Sequence, residues 1–225
     1  MPTINVSRQA DATGVVSSNF NTARTSNAAS FTDGTTDNNF FVQYFSSSGR
    51  GGGTKRFKRA FLHFDTSGIT GTLSAAHIDI NGGTSASPDP NDTILLKSTA
   101  FNGDGATAFH PSEFYSSIDY STAYSNELTS WSTGNNEYTL TAAALADIKN
   151  NDDFILAIVE NDSDASGSDQ GDGAYDISID FGVTITLDYT LAATGYSNTV
   201  NGVAAANIGK INGVATASIS KVNGI

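Results

Sequence analysis

The feature that most limits what this chain can become is the alternation of residues 175–189. Tyr175, Ile177, Ile179 and Phe181 are apolar at every second position, with Asp176, Ser178 and Asp180 between them. After Gly182 the pattern resumes, with Val183, Ile185, Leu187 and Tyr189 opposite Thr184, Thr186 and Asp188. Successive side chains of a strand point to opposite faces, so this spacing predicts two consecutive strands, each with one face in a core and one in water. Just upstream, Phe154-Ile155-Leu156-Ala157-Ile158-Val159 is an unbroken apolar run, the pattern of a strand covered on both faces. Between these strands, residues 160–173 form a loop made almost wholly of oxygen-bearing side chains and glycine.

The rest of the chain fits the same class. Twenty-two glycines, with only 15% of residues charged, describe many short strands joined by turns. Strands are expected at 3–7, 40–45, 55–65, 75–80, 93–97 and 137–140, with Ala60, Leu62 and Phe64 pointing inward and Pro88-Asp89-Pro90 acting as a breaker. The segment from Ser7 to about Asn39 reads as loop, and 98–136, which holds Trp131 and most of the tyrosines, as an irregular excursion over one edge. Thr141 is placed to cap one short helix, Ala142 to Lys149, ended by Asn150-Asn151. About eight to ten strands, one helix and no βαβ rhythm predict an all-β chain, an antiparallel sandwich of jelly-roll type over residues 1–190. Residues 191–225 form a separate C-terminal extension.

Two segments carry a family resemblance. Arg59 to Ile69 followed by Leu73 to Ile80 resembles the signature of DNRLRE-type jelly-roll modules, which are similar to carbohydrate-binding domains. Tyr138 to Leu145 with Phe154 to Asp164 is similar to a version found in bacteriophage structural proteins. The resemblance spans roughly residues 3–190 and implies a scaffold rather than an activity.

The acidic loop is the candidate site. Ca2+ takes six to eight oxygen ligands on a backbone that can turn sharply, and Glu160, Asp162, Asp164, Asp169 and Asp172 are the residues offered for it. A solvated acidic loop is the other reading, and the spacing is not that of an EF-hand. The basic residues Arg50, Lys55, Arg56, Lys58 and Arg59 are read either as edge-strand protection or as a patch for an acidic neighbour. Phe109, Phe114, Tyr115, Tyr120, Tyr124 and Trp131 could stack on sugar rings or simply pack the excursion onto the sheet. His63, His77 and His110 are isolated, the four glutamates suggest no glycosidase pair, and no serine sits in a nucleophile elbow, so the expectation is a protein that is not an enzyme. A net charge of −12 argues against nucleic acid and anionic membrane as partners, and the absence of cysteine excludes disulfides and thiolate metal sites.

The C-terminal extension repeats with a period of eleven residues: 200–210, 211–221, and a third copy begun at 222. Asn-Gly in every copy opposes a helix and signals a tight turn between β-branched residues. Val200, Val203, Ile208, Ile211, Val214, Ile219, Val222 and Ile225 are spaced among small residues in a segment too short to bury them by itself, so they are expected to serve assembly. Such tails resemble those on structural proteins of tailed phages. With an amino terminus lacking the apolar run of a signal peptide, this implies a protein made in a host cytoplasm and displayed on the virion surface. Head decoration is expected ahead of tail or fibre, with a trimer of itself and major capsid or tail proteins as partners. The alternative is a carbohydrate-binding adhesin module that recognises a host surface glycan.

Overall fold

Segments far apart in the sequence build the centre of the molecule, as a computed structural model shows for residues 1–33, 40–49, 53–83, 92–179, 185–192, 210–211 and 214–215. In chain order the strands are β1 (Thr3–Asn5), β2 (Arg8–Gly14), β3 (Ala29–Asp33), β4 (Phe40–Ser47), β5 (Thr54–Asp65), β6 (Leu73–Gly82) and β7 (Thr93–Ser98). They continue with β8 (Ile118–Ala123), β9 (Gly134–Thr139), β10 (Asp153–Glu160), β11 (Gly173–Ile179) and β12 (Thr186–Leu191). Helices α1 (Phe20–Thr25), α2 (Glu113–Ser116) and α3 (Ala142–Asn150) lie between them, with a 3-10 turn at Phe101–Gly103 and a π-helical turn at Asn161–Ala165. The chain divides into two compact units, Met1–Thr190 and Leu191–Ile225. The second contains a minimal pair, β13 (Lys210–Ile211) and β14 (Val214–Ala215).

The twelve strands of the first unit follow the order β1-β12-β6-β11-β4-β5-β10-β7-β8, with β9 added on β6 and the β2–β3 pair added on β5. The paired strands run antiparallel, and the whole is a β-sandwich-like, all-β fold. Among the described residues β6 and β11 pair through Gly82 and Ile179. The backbones close tightly there. A Cβ on Gly82 would lie 2.1 Å from the Ser132 carbonyl oxygen and 2.7 Å from the Trp131 ring nitrogen, so only glycine fits.

Two cores result, one on each face of the β5–β10 pair. Ala60, Leu62 and Phe64 of β5 and Phe154, Leu156 and Ile158 of β10 join Ile78, Ile80, Tyr124, Tyr138, Ile177 and Leu187 in the first. Phe57 and Phe61 of β5 and Ile155, Ala157 and Val159 of β10 join Ala10, Ala12, Phe101, Phe109 and Phe114 in the second. The run 154–159 is therefore covered on both faces, as its unbroken apolar pattern predicts. For β5 the expectation of one inward face is corrected. Phe57, Arg59, Phe61 and His63 are buried as well, because α1, α2 and the segment carrying Phe101 and Phe109 cover that side.

That covering layer was the least legible part of the sequence. The segment expected as loop up to Asn39 instead supplies β2, α1 and β3, and the excursion supplies α2 and β8. Strand β2 carries Ala10, Ala12 and Gly14 toward the second core, small residues that leave room for the aromatic rings opposite. A Cβ on Gly14 would meet the Phe114 ring at 2.5 Å. Alternation of Ala and Gly with polar residues has little apolar contrast, which hides the strand from a periodicity argument. The single helix expected is present as α3, where Thr141 accepts the Ala144 N–H, but α1 and α2 accompany it. On β11, Asp176 and Ser178 were expected in water and are buried. Asp176 accepts a hydrogen bond from Gln43 Nε2 (2.9 Å) on β4. Pro88-Asp89-Pro90 and residues 180–184, including Phe181 and Val183, lie outside the described residues.

Strand β2 also carries a titration with a readable sign. Burial lifts the Asp11 carboxyl to about 6, with the nearby Lys58 charge pulling it partway back. In the unfolded chain the group titrates near 4, so the native state holds its proton more tightly. Its contribution to stability is full below the unfolded pKa and is lost as pH rises through about 6. Asp11→Asn is expected to stabilise the protein by about 2–3 kcal/mol at pH 8 and hardly at all at pH 4. Urea denaturation at the two pH values measures this, and an equal effect at both would contradict it.

Candidate functional site

The acidic loop begins where β10 ends, and its first residue organises it. Glu160 is buried and accepts the backbone N–H groups of Asp162 (2.9 Å), Ser163 (2.7 Å) and Asp164 (3.1 Å), capping the π-helical turn. Burial pushes its carboxyl up to about 7, against the lowering effect of those N–H groups.

Four residues on, Asp164 points into the second core and is 1% exposed. There it meets Arg59, itself 0% exposed. Arg59 Nε donates to Asp164 Oδ2 (2.6 Å) and Arg59 Nη2 to Asp164 Oδ1 (2.7 Å), a bidentate pair. Two further guanidinium N–H groups donate to the carbonyls of Phe114 (2.7 Å) and Arg24 (2.8 Å). The guanidinium lies 4.1 Å over the Phe114 ring, and Tyr120 Oη donates to Asp164 Oδ1 (3.0 Å). Arg24 Nε donates to the Asp164 carbonyl (2.7 Å) and stacks over Tyr120 at 4.5 Å. One salt bridge thus ties β5, α1, α2, β8 and the acidic loop together.

The other loop carboxylates have different partners. Asp169 pairs with Lys55 Nζ (2.7 Å) and accepts from Tyr44 Oη, which holds its carboxyl below the usual range despite some burial. Asp172 accepts from Ser46 Oγ (3.2 Å) and from the Ser48 N–H (2.9 Å) and hydroxyl, and these bonds lower its carboxyl too. The five residues Glu160, Asp162, Asp164, Asp169 and Asp172 therefore do not form one site. Glu160 caps the turn, Asp164 is neutralised by Arg59, and Asp169 and Asp172 fasten the loop to β4 and β5. Only Asp162 remains for a ligand.

Asp162 stands instead beside two carboxylates that no sequence pattern joins to it. Asp92, Glu127 and Asp162 each place a carboxylate oxygen within 4.8 Å of the other two. The backbone explains the meeting. Thr93 pairs on one side with Glu160 of β10 and on the other with Leu128, through N–H···O bonds of 3.1 and 2.8 Å. The Asn161 N–H donates to the Asp92 carbonyl (2.8 Å). Asp92 is thus held between Glu127 and the start of the acidic loop. Burial, a carboxyl–carboxyl contact with Glu127 and the Asp162 charge push its carboxyl up to about 6. No pattern in the sequence could reveal this, because three lone acids in polar loops have no periodic relation.

The basic residues do not form a patch with Arg59, since the strand alternation turns it inward. Lys55 pairs with Asp169, Arg56 donates to Gln43 (2.8 Å), and Lys58 lies 4.7 Å from the Phe41 ring. Strand β5 is paired along both edges, by β2 on one side and by β4 and β10 on the other, so edge protection is not what these charges do; Arg50 lies outside the described residues. The aromatic residues of the excursion pack rather than project. Phe109, Phe114 and Tyr124 are buried, Phe109 against Phe61 (4.7 Å between centroids) and Tyr124 against Phe154 (5.0 Å). Tyr115 and Tyr120 stack on each other near Arg24. Trp131 donates to the Ser178 carbonyl (3.2 Å).

The histidines are all engaged. His63 Nε2 is 2.8 Å from Asp153, and His110 Nδ1 is 2.7 Å from Ser112 Oγ. His77 Nε2 lies among Asp79 (3.3 Å), Asp188 (3.8 Å) and Glu137 (3.9 Å). A polar cleft of about 490 Å3 lies beside α3, where Asp147 pairs with Lys97 Nζ (2.7 Å) and accepts from Tyr124 Oη. Among the described residues no helix is long and apolar enough to cross a membrane. No protein-family model matches the chain, and no curated protein matches it.

Proposed function

We propose that this is a non-enzymatic structural protein of a tailed-phage virion surface, with head decoration ahead of tail or fibre. The observation that carries the reading is the eleven-residue Asn-Gly repeat of residues 200–225. Where the first copy meets the second, Ile211 pairs with Val214 and Lys210 with Ala215. Val214 is 50% exposed, so this pair presents apolar surface for a partner. Val200, Val203, Ile208, Ile219, Val222 and Ile225 lie outside the described residues.

The first unit fits the role of a displayed module. Its cores are filled, its loop acids are mostly tied to the sheet, and the rings that a sugar would stack on serve as packing. The last point favours the structural reading over the adhesin. We read the sandwich as a jelly roll, supported by the pairing of strands distant in sequence, β4 with β11 and β5 with β10.

Self-association through the repeats, three chains around an axis, follows from their identical register. The full chain is expected to sediment as a trimer and to appear at constant copy number on intact particles by immunogold labelling. A chain ending at Thr190 should stay folded, sediment as a monomer and fail to coat particles. A truncated protein that still coats them would remove the assembly role of the repeats. Saturable binding of the full chain on a glycan panel would favour the adhesin.

A further inference from the structure

We propose that Asp92, Glu127 and Asp162 form a Ca2+ site that fastens three loops at one end of the sandwich. The first observation is the convergence itself. The three ligand oxygens lie within 4.8 Å of one another, no farther apart than two oxygens on opposite sides of one Ca2+ at about 2.4 Å. The second concerns Asp92, which is 9% exposed, with Oδ1 buried and accepting no hydrogen bond. A buried carboxylate oxygen without a partner costs free energy that a cation would recover.

Charge supports the same reading. Among the described residues no lysine or arginine pairs with any of the three, whereas Asp164, Asp169 and Asp147 each have a cation. The ligands are all oxygens, which selects a hard cation, and they come from separate backbone segments that are free to adjust. Ca2+ accepts such irregular surroundings, while Mg2+ demands a near-ideal octahedron. Asp162 is intermediate and Glu127 exposed, so water can complete the shell, and an affinity in the range of extracellular modules, about 10⁻⁴–10⁻³ M, is expected. The bound ion would staple the start of β7, the loop after β8 and the acidic loop. This role does not depend on the virion reading.

The test is thermal unfolding of the full chain, stripped with EDTA and dialysed, then scanned in about 10 mM CaCl2 and in MgCl2 at equal ionic strength. Ca2+ should raise Tm by roughly 3–10 °C, and Mg2+ by clearly less. Asp92→Asn with Glu127→Gln should lose the Ca2+ shift. In EDTA the same variant should melt no lower than the parent, because it removes repulsion, so the stability order of parent and variant reverses with the metal. Glu127→Gln alone, at an exposed position that leaves folding intact, should weaken Ca2+ affinity about tenfold by calorimetric titration, the effect of losing about 1.4 kcal/mol. A stripped parent whose Tm Ca2+ does not move overturns the site. So does a Ca2+ shift that survives undiminished in the variants, which would place the ion elsewhere, and so does equal stabilisation by Mg2+.

Discussion

Replacing Arg59 by alanine is expected to destabilise the protein by about 3–5 kcal/mol, a fall of roughly 6–20 °C in Tm for a domain of this size. The side chain is 0% exposed and Asp164 1% exposed, so the variant leaves a carboxylate in a core with Tyr120 as its nearest remaining donor. The carbonyls of Phe114 and Arg24 lose their donors as well. Asp164→Ala should cost a similar amount for the mirror-image reason. Arg59→Lys should rescue little, because one ammonium cannot make the bidentate contact and also reach both carbonyls. The double variant Arg59→Met with Asp164→Leu should cost much less than the sum of the single changes, since removing both charges leaves neither stranded. Denaturant unfolding of the parent, Arg59→Met, Asp164→Leu and the double variant gives the coupling directly. Additive effects, or a cost below about 1 kcal/mol for Arg59→Ala, the range of an exposed pair, would show that the bridge is not buried as described.

The second large effect tests the two-faced covering of β5. Phe61 and Leu62 are neighbours and both 0% exposed, Leu62 in the first core and Phe61 in the second. Phe61→Ala is expected to cost about 3–5 kcal/mol and Leu62→Ala about 2–5. A half-wet sheet would give a very different result, with one of the two adjacent changes staying within about 0.5 kcal/mol. Phe61 packs on Phe109 from the segment between β7 and β8, so its truncation should also loosen that segment. Faster hydrogen exchange around residues 101–114 in Phe61→Ala, and not in Leu62→Ala, would separate the two cores. Equal exchange in both would argue that they are one.

How much of this could be read beforehand depended on how local the cause was. Alternation at 175–179 and 185–189, the apolar run at 154–159 and the hydroxyl before Ala142 are local patterns with local reasons, and the strands and α3 appear where they place them. Strand β2 escaped notice because alanine and glycine face the second core, and small residues register as weakly apolar even when fully buried. The reason for their size is the bulk of Phe61, Phe109 and Phe114, which arrive from three other segments.

The candidate site divides in the same way. By itself the sequence determined that residues 160–173 would form an acidic loop between two strands, because oxygen-rich side chains and glycine can do little else there. Which acids would be free was decided only by the tertiary structure. Alternation along β5 sends Arg59 inward, 105 residues from the Asp164 it neutralises. Lys55 reaches Asp169 from the same strand, and the pairing of Thr93 with both Glu160 and Leu128 brings Asp92 and Glu127 to Asp162. A carboxylate becomes a bridge, a cap or a ligand according to the charge packed against it. That charge comes from strands joined by long-range pairing, which no local pattern encodes.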